Sequence, residues 1–301
     1  MLHLARDHPI DHTHVIDLPY RLASWALDNP GNVGLWEDEP GRLVAWAVLQ
    51  TPFWTVDYAL HPAAPPQAFP TLLAWVDEQA QAHRHTRYGR PTWFVPLTGE
   101  QAARRGDLAA AGYVAQDTGD DSWSQVIFAL AEDMALPSCP LRAGFTLRPL
   151  GGEAEVAAYV ALHRAVFGTE NMTEGWRSAV LRQPAYRPEL DLVITNAAGE
   201  LVAFCIGWLA HLPATDGGRP AVVGHIEPIG VREDVRSHGL AWSILAEVVR
   251  RLRGQGAGKI LVQTDNYRDR AYAFYQAAGF EIIEHITIFR KEFAGGGRAT
   301  E

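Results

Sequence analysis

The stretch Ile229-Gly230-Val231-Arg232-Glu233-Asp234-Val235-Arg236-Ser237-His238-Gly239-Leu240-Ala241 decides how the chain is read. Its apolar start closes a strand running from Ala221. Its polar middle is a loop. From Leu240 the apolar residues Leu240, Ile244, Leu245, Val248 and Leu252 recur at helical spacing. A helix start exposes unpaired backbone N–H groups and the positive end of the macrodipole, which suits a phosphate. Gly239 lets the backbone approach such a ligand with no Cβ in the way. Arg236 and Arg232 offer charge-assisted contacts, and His238 a weaker one. An ordinary strand-to-helix connection with surface arginines is the plain alternative.

The flanking sequence repeats this alternation of strand and helix. Downstream, 259–265 reads as a strand, 269–278 as a helix stopped by Gly279, and 280–293 as a closing β-ribbon. Upstream, 145–150, 190–196 and 200–209 read as strands, and 153–167 and 173–181 as helices. Residues 131–144 hold two prolines and no periodicity, the composition of a linker. Before it, 32–37, 42–50, 53–60, 92–97 and 123–130 read as strands, and 69–82 and 100–111 as helices. An early strand near Leu2–Leu4 and helical spacing over 18–27 complete the first segment. Gly41-Arg-Leu-Val-Ala-Trp46 matches Gly199-Glu-Leu-Val-Ala-Phe204, and Ala110-Ala-Gly-Tyr113 matches Ala277-Ala-Gly-Phe280. Two landmarks in register imply a tandem duplication of one α/β domain, with boundaries 1–130, 131–144, 145–294 and a disordered tail 295–301.

Composition narrows the function. The chain has 301 residues, 48% of them hydrophobic, and a net charge of −9, which argues against general affinity for nucleic acid or anionic membranes. No apolar run is long enough to cross a bilayer, and no signal sequence is legible. Cys139 and Cys205 match no metal or redox spacing and fit a reducing cytoplasm. His8, His12 and His14 read as a solvated loop, and no metal site is expected. The strings of P-loop and dinucleotide-binding proteins are absent.

Arg236-Ser237-His238-Gly239-Leu240-Ala241 fits an R/Q-x-x-G-x-G/A string, and Asp265-Asn266 precedes Ala271-Tyr272-Ala273-Phe274-Tyr275 and Gly279-Phe280. In these motifs residues 145–293 resemble the GNAT N-acetyltransferase superfamily; residues 1–130 resemble it only in element order. The resemblance implies two tandem GNAT-like domains, each a mixed, mostly antiparallel sheet flanked by helices. It also implies acetyl-coenzyme A as cosubstrate. The expected coenzyme-binding set is Ile229, Gly230, Val231, Arg236, Ser237, His238, Gly239, Leu240, Ala241 and Asn266. Backbone N–H groups of 235–241 would wrap the pyrophosphate, and the 229–231 strand would meet the pantetheine and acyl carbonyl. Pro228 cannot donate to a ladder, so it favours a bulge that frees those groups.

Acyl transfer to an amine by direct attack through a tetrahedral intermediate needs a base, an acid and an oxyanion donor. Tyr275 is the expected acid for the departing thiolate, with simple packing as the alternative. Glu227 is the leading base candidate. His225 has the same side-chain parity, so both can face the cleft. In the first half the matching loop is His61-Pro62-Ala63-Ala64-Pro65-Pro66-Gln67, without glycine or arginine and with N–H groups removed by proline, so no coenzyme is expected there. Trp25, Trp36, Trp46, Trp54, Trp75 and Trp93 read mostly as core. The sequence thus points to an N-acetyltransferase acting on a small-molecule primary amine, as monomer or homodimer. A mycothiol-synthase-like enzyme acting on an amino-sugar conjugate and a non-catalytic acyl-coenzyme A sensor are the alternatives.

Overall fold

The computed structural model describes residues 1–7, 15–117, 122–134, 136, 139–213 and 221–293. In the first half the strands are β1 (Val33–Glu37), β2 (Leu43–Gln50), β3 (Thr55–Leu60), β4 (Thr92–Leu97), β5 (Val114–Ala115) and β6 (Ser124–Leu130). Its helices are α1 (Leu2–Asp7), α2 (Leu18–Leu22), α3 (Ala68–His83) and α4 (Arg105–Ala110). The second half carries β7 (Thr146–Pro149), β8 (Asp191–Thr195), β9 (Leu201–Leu212), β10 (Ala221–Val231), β11 (Lys259–Asp265) and β12 (Glu281–Glu292). With them come α5 (Val156–Phe167), α6 (Glu174–Leu181), α7 (Leu240–Gly254) and α8 (Asp269–Ala277).

The two halves repeat at the level of backbone dihedrals. Gly41 and Gly199 both stand at φ 82°, in the tight turns that open β2 and β9. Gly112 and Gly279 stand at φ 83° and 81°, where α4 and α8 stop. After each stop the next residue turns back: Tyr113 N–H donates to Leu108 O and Phe280 N–H to Tyr275 O. A left-handed stop favours glycine, which has no Cβ to clash, so both landmarks kept theirs.

One sheet contains strands of both halves. Its order is β1-β2-β3-β4-β12-β6-β11-β10-β9-β8-β7, antiparallel except at β3/β4 and β10/β11, with β5 also on β12. The last strand of each half therefore sits in the other's territory. β6 lies between β11 and β12, pairing Leu130 with Ile260 and Phe128 with Ile282. β12 lies against β4, pairing Phe289 with Val95. The cores follow this exchange. Phe128 and Leu130 pack with Ile260, Val262 and Tyr275, whereas Phe289 and Phe293 pack with Trp93 and Val95. A third core joins Tyr20, Trp46 and Val48 to Tyr159, Trp176, Phe204 and Trp208.

The expected strand near Leu2–Leu4 is instead helix α1, whose Leu4 and Ala5 are buried in this joint core. Tertiary burial of one face overrides the short apolar alternation there. Of the tryptophans, Trp46 and Trp93 are fully buried, while Trp54 is exposed. The histidine trio and the tail lie outside the described residues. Among the described residues no helix is long and apolar enough to cross a membrane, and no group of histidines, cysteines and carboxylates is arranged to hold a metal.

Candidate active site

β10 and β11 run parallel only from Val223/Lys259 to His225/Leu261 and then diverge. On its other edge, β10 shifts register against β9 between Ile226 and Ile229, the bulge expected at Pro228. Beyond this point a cleft of about 760 Å³ opens. Its floor is Ile229, Gly230 and Val231, and the start of α7 and the loop before it form one wall. Arg268, Phe274 and Tyr275 line another, and Val166 and Phe167 close it from α5. Gly230 is required by packing: a Cβ there would lie 2.6 Å from both Phe204 Cζ and Val166 Cγ1.

The loop before α7 has the geometry of an anion nest. Ser237 stands at φ 70° and Gly239 at φ 77°, an alternation that turns successive N–H groups towards one side. Among the described residues no protein acceptor takes the N–H groups of residues 237–242. For Gly239 the reason is its dihedral, because an added Cβ would only touch Cys139 Sγ at 3.8 Å. Arg236, Ser237, Gly239, Leu240 and Ala241 all line the cleft. This arrangement fits a pyrophosphate-bearing coenzyme.

Three expected contacts are engaged elsewhere. The His238 ring meets the carbonyls of Val235 and Arg236 at 3.0 and 3.1 Å, so it braces the loop from behind. Arg232 pairs with Asp234 at 2.7 Å and with Glu200 at 3.5 Å. Asn266 Oδ1 accepts from Ser124 N–H at 3.1 Å, and its own N–H donates to Ser124 O at 2.9 Å, fixing β6 instead of facing the cleft. None of the three lines the cleft.

Tyr275 does line it, packed against Phe128, Phe274 and Phe280 with ring centroids 5.4–5.8 Å apart. Burial, followed by the charge of Glu227, raises its pKa, so the phenol stays protonated. Glu227 is half-buried, two residues before the cleft floor, and its carbonyl accepts from Trp208 Nε1 at 2.7 Å. Burial pushes its carboxyl up to about 7; Asp17 adds to the rise, while His225, Arg21 and Arg268 oppose it. His225 is deeper, with Nδ1 3.2 Å from Asp17 Oδ1. Burial lowers its pKa, but the charge and hydrogen bond of Asp17 outweigh this and leave it raised.

The charged groups that act on Glu227 from the first half carry no signal in the sequence. Arg21 makes a fork to Asp57, 2.7 Å on each arm, and reaches Thr55 at 2.6 Å. Asp17 and Arg21 come from the first half, next to the only hint of helix in that segment. Arg268 and Phe167 were signalled just by their places, ahead of a helix carrying Tyr275 and ahead of the stop at Gly168.

Residues 155–280 match the model of the Acetyltransferase (GNAT) family. In fold, the chain is two GNAT-like halves in tandem. The mycothiol acetyltransferase of Paenarthrobacter aurescens is 27% identical over 155 residues, 50% of this chain and 47% of that protein. That of Kineococcus radiotolerans is 30% identical over 152 residues, 49% of this chain and 46% of that one. The chain thus spans about half the length of these relatives. A GCN5-related N-acetyltransferase from Sphaerobacter thermophilus shares the fold with a TM-score of 0.61 at 20% identity, covering 88% of this chain and 82% of that one. A tandem GNAT protein from the clavulanic acid biosynthesis pathway does so with a TM-score of 0.58 at 15% identity, covering 88% and 85%.

Proposed function

We propose that the chain is an acetyl-coenzyme A-dependent N-acetyltransferase acting on a primary amine of a small molecule. The observation that carries this reading is the run of N–H groups at 237–242 without an acceptor among the described residues, on a loop that lines the same cleft as Tyr275, near Glu227. Acetyl-coenzyme A, when bound, supplies an acyl thioester. Ser237 to Ala241 hold its pyrophosphate, with Arg236 adding charge. The backbone of Ile229–Val231, paired with β9 on one edge and parted from β11 on the other, orients the acyl carbonyl. Glu227, ionised above about pH 7, takes the proton of the attacking amine. Tyr275 gives its phenolic proton to the departing sulfur.

The catalytic half in this reading is 145–294; residues 1–130 bind no coenzyme, and 131–144 join them. Two free cysteines, one of them buried, suit a cytoplasmic protein acting as monomer or homodimer. The named relatives favour, as a second reading, a mycothiol-synthase-like acceptor, an amino-sugar conjugate. A carboxyl held near 7 beside a protonated phenol speaks against a sensor without turnover. Acetyl-coenzyme A at a hundredfold over its Kd should stabilise the fold by about 2.7 kcal/mol. If it raises the melting temperature no more than an unrelated nucleotide, the reading fails. Thiol release across a panel of amines, amino sugars and antibiotics then identifies the acceptor.

A further inference from the structure

We propose that Asp17 is a positioning residue for the reaction: presented by the first half of the chain, its carboxylate fixes the His225 imidazole behind Glu227 and so governs when Glu227 takes a proton. This rests on Glu227 being the base.

Asp17 occupies the N-cap of α2, where an aspartate ordinarily accepts a helix N–H, yet it makes no such bond. Its side chain turns inward to His225 instead, Oδ1 to Nδ1 3.2 Å, with 1% and 3% of the two side chains exposed. A carboxylate and an imidazole buried together are held by each other's charge. His225 and Glu227 stand two residues apart on β10, which puts the pair on the same side of the strand as the base. Tyr20, its ring 5.2 Å from Trp176 and 6.3 Å from Trp208, walls the site. The neighbouring Arg21 is committed to the fork with Asp57. His225 Nε2 is buried without a protein partner among the described residues, so the contact to Asp17 is what orients the ring.

The groups coupled to Glu227 come from several elements. Asp17, Tyr20 and Arg21 belong to the first half, His225 to β10 itself, and Cys205 to β9. Tyr159 comes from α5, and Arg268 and Tyr275 from the segment around α8. Asp17 opposes the ionisation of Glu227 and a charged His225 favours it, with Asp17 the stronger. Removing Asp17 therefore lets Glu227 ionise at lower pH, even though His225 then loses its own charge. Removing His225 while keeping Asp17 moves Glu227 the other way.

The test is a titration of the full chain without ligand, following carbon-13 glutamate carboxyls by NMR, with Glu227 assigned through Glu227→Gln. The Glu227 midpoint is expected to fall by about half a pH unit in Asp17→Asn and to rise by a similar amount in His225→Gln. Unmoved midpoints in both folded variants overturn the proposal, since a merely structural role would change stability alone. Should either variant fail to fold, the unmodified chain decides. Nitrogen-15 spectra of the His225 ring should give an imidazolium at pH 6.5, and a neutral ring there overturns the proposal. Acetyl-coenzyme A binding, followed separately by melting temperature, keeps the two readings apart. If the coenzyme binds while the Glu227 midpoint stays fixed, only the proposal for Asp17 falls. If Glu227→Gln turns over at the wild-type rate, the base assignment falls, and the role of Asp17 in the reaction with it.

Discussion

Both halves of the molecule part their parallel strands at the same place, and they use the opening differently. In the first half β3 and β4 pair only at Thr55/Phe94 before separating. Tyr58 on β3 packs against Phe69 of α3, 5.2 Å apart, with the Arg104 guanidinium 5.4 and 5.2 Å from their rings. β3 stays in unbroken register with β2 from Leu60 to Thr55. In the second half β10 slips against β9, and the space beyond is an open cleft floored by Ile229–Val231. The frame is thus repeated, and the two openings differ. In the proposed reading a coenzyme site needs a bulge, a left-handed loop and a helix start free of proline, and among the described residues the second half alone combines them.

The most severe way to break this comparison is to separate the halves. Residues 145–293 expressed alone lack β6 from between β11 and β12, and are expected to show no cooperative thermal transition. A folded fragment that binds acetyl-coenzyme A would mean that the exchange of strands is dispensable. Next in size, Glu227→Gln should lower kcat by about 10²–10⁴-fold. In the unaltered protein, kcat/KM should fall about tenfold per unit below pH 7, because the carboxylate must be ionised to accept a proton. A flat profile between pH 5 and 8, in stopped thiol-release assays, would remove Glu227 from the site. Tyr275→Phe keeps the ring packing with Phe128 and Phe280 and removes only the hydroxyl; kcat should drop about 10–100-fold with KM nearly unchanged. Wild-type kcat would leave the tyrosine as packing. Arg236→Ala should raise the KM for acetyl-coenzyme A by about five- to tenfold, a modest effect for a half-exposed cation. The smallest expected signal sharpens the comparison itself: isothermal titration should give one acetyl-coenzyme A per chain, and two would mean that the proline-filled loop at 61–67 also binds.

What was legible in the sequence was local. Gly41, Gly112, Gly199 and Gly279 announce themselves because a left-handed stop is a demand the residue meets alone. The cradle is of the same kind: a strand end, a glycine and an amphipathic helix adjacent in the chain. The exchange of β6 and β12 was not legible, since Ser124–Leu130 carries an apolar pattern but nothing that names its partners. The neighbours of Asn266 fit a motif that makes it a coenzyme contact, whereas its side-chain carbonyl accepts from Ser124 across that unseen pairing. Asp17 and Arg21 lay in a segment with little periodicity. Their chemistry depends on His225 and Asp57, which only folding brings near.

The position of β12 also sets a timetable for synthesis. The first half cannot close its sheet beyond β4 until β12 has left the ribosome. At ordinary translation rates that delay is roughly ten to thirty seconds after β6 is made. Throughout it, the edge of β4 and the apolar face of β6 stand open, the condition in which chaperones engage nascent chains. Residues 281–292 are thus the ones that release β4 and β6 from that exposure.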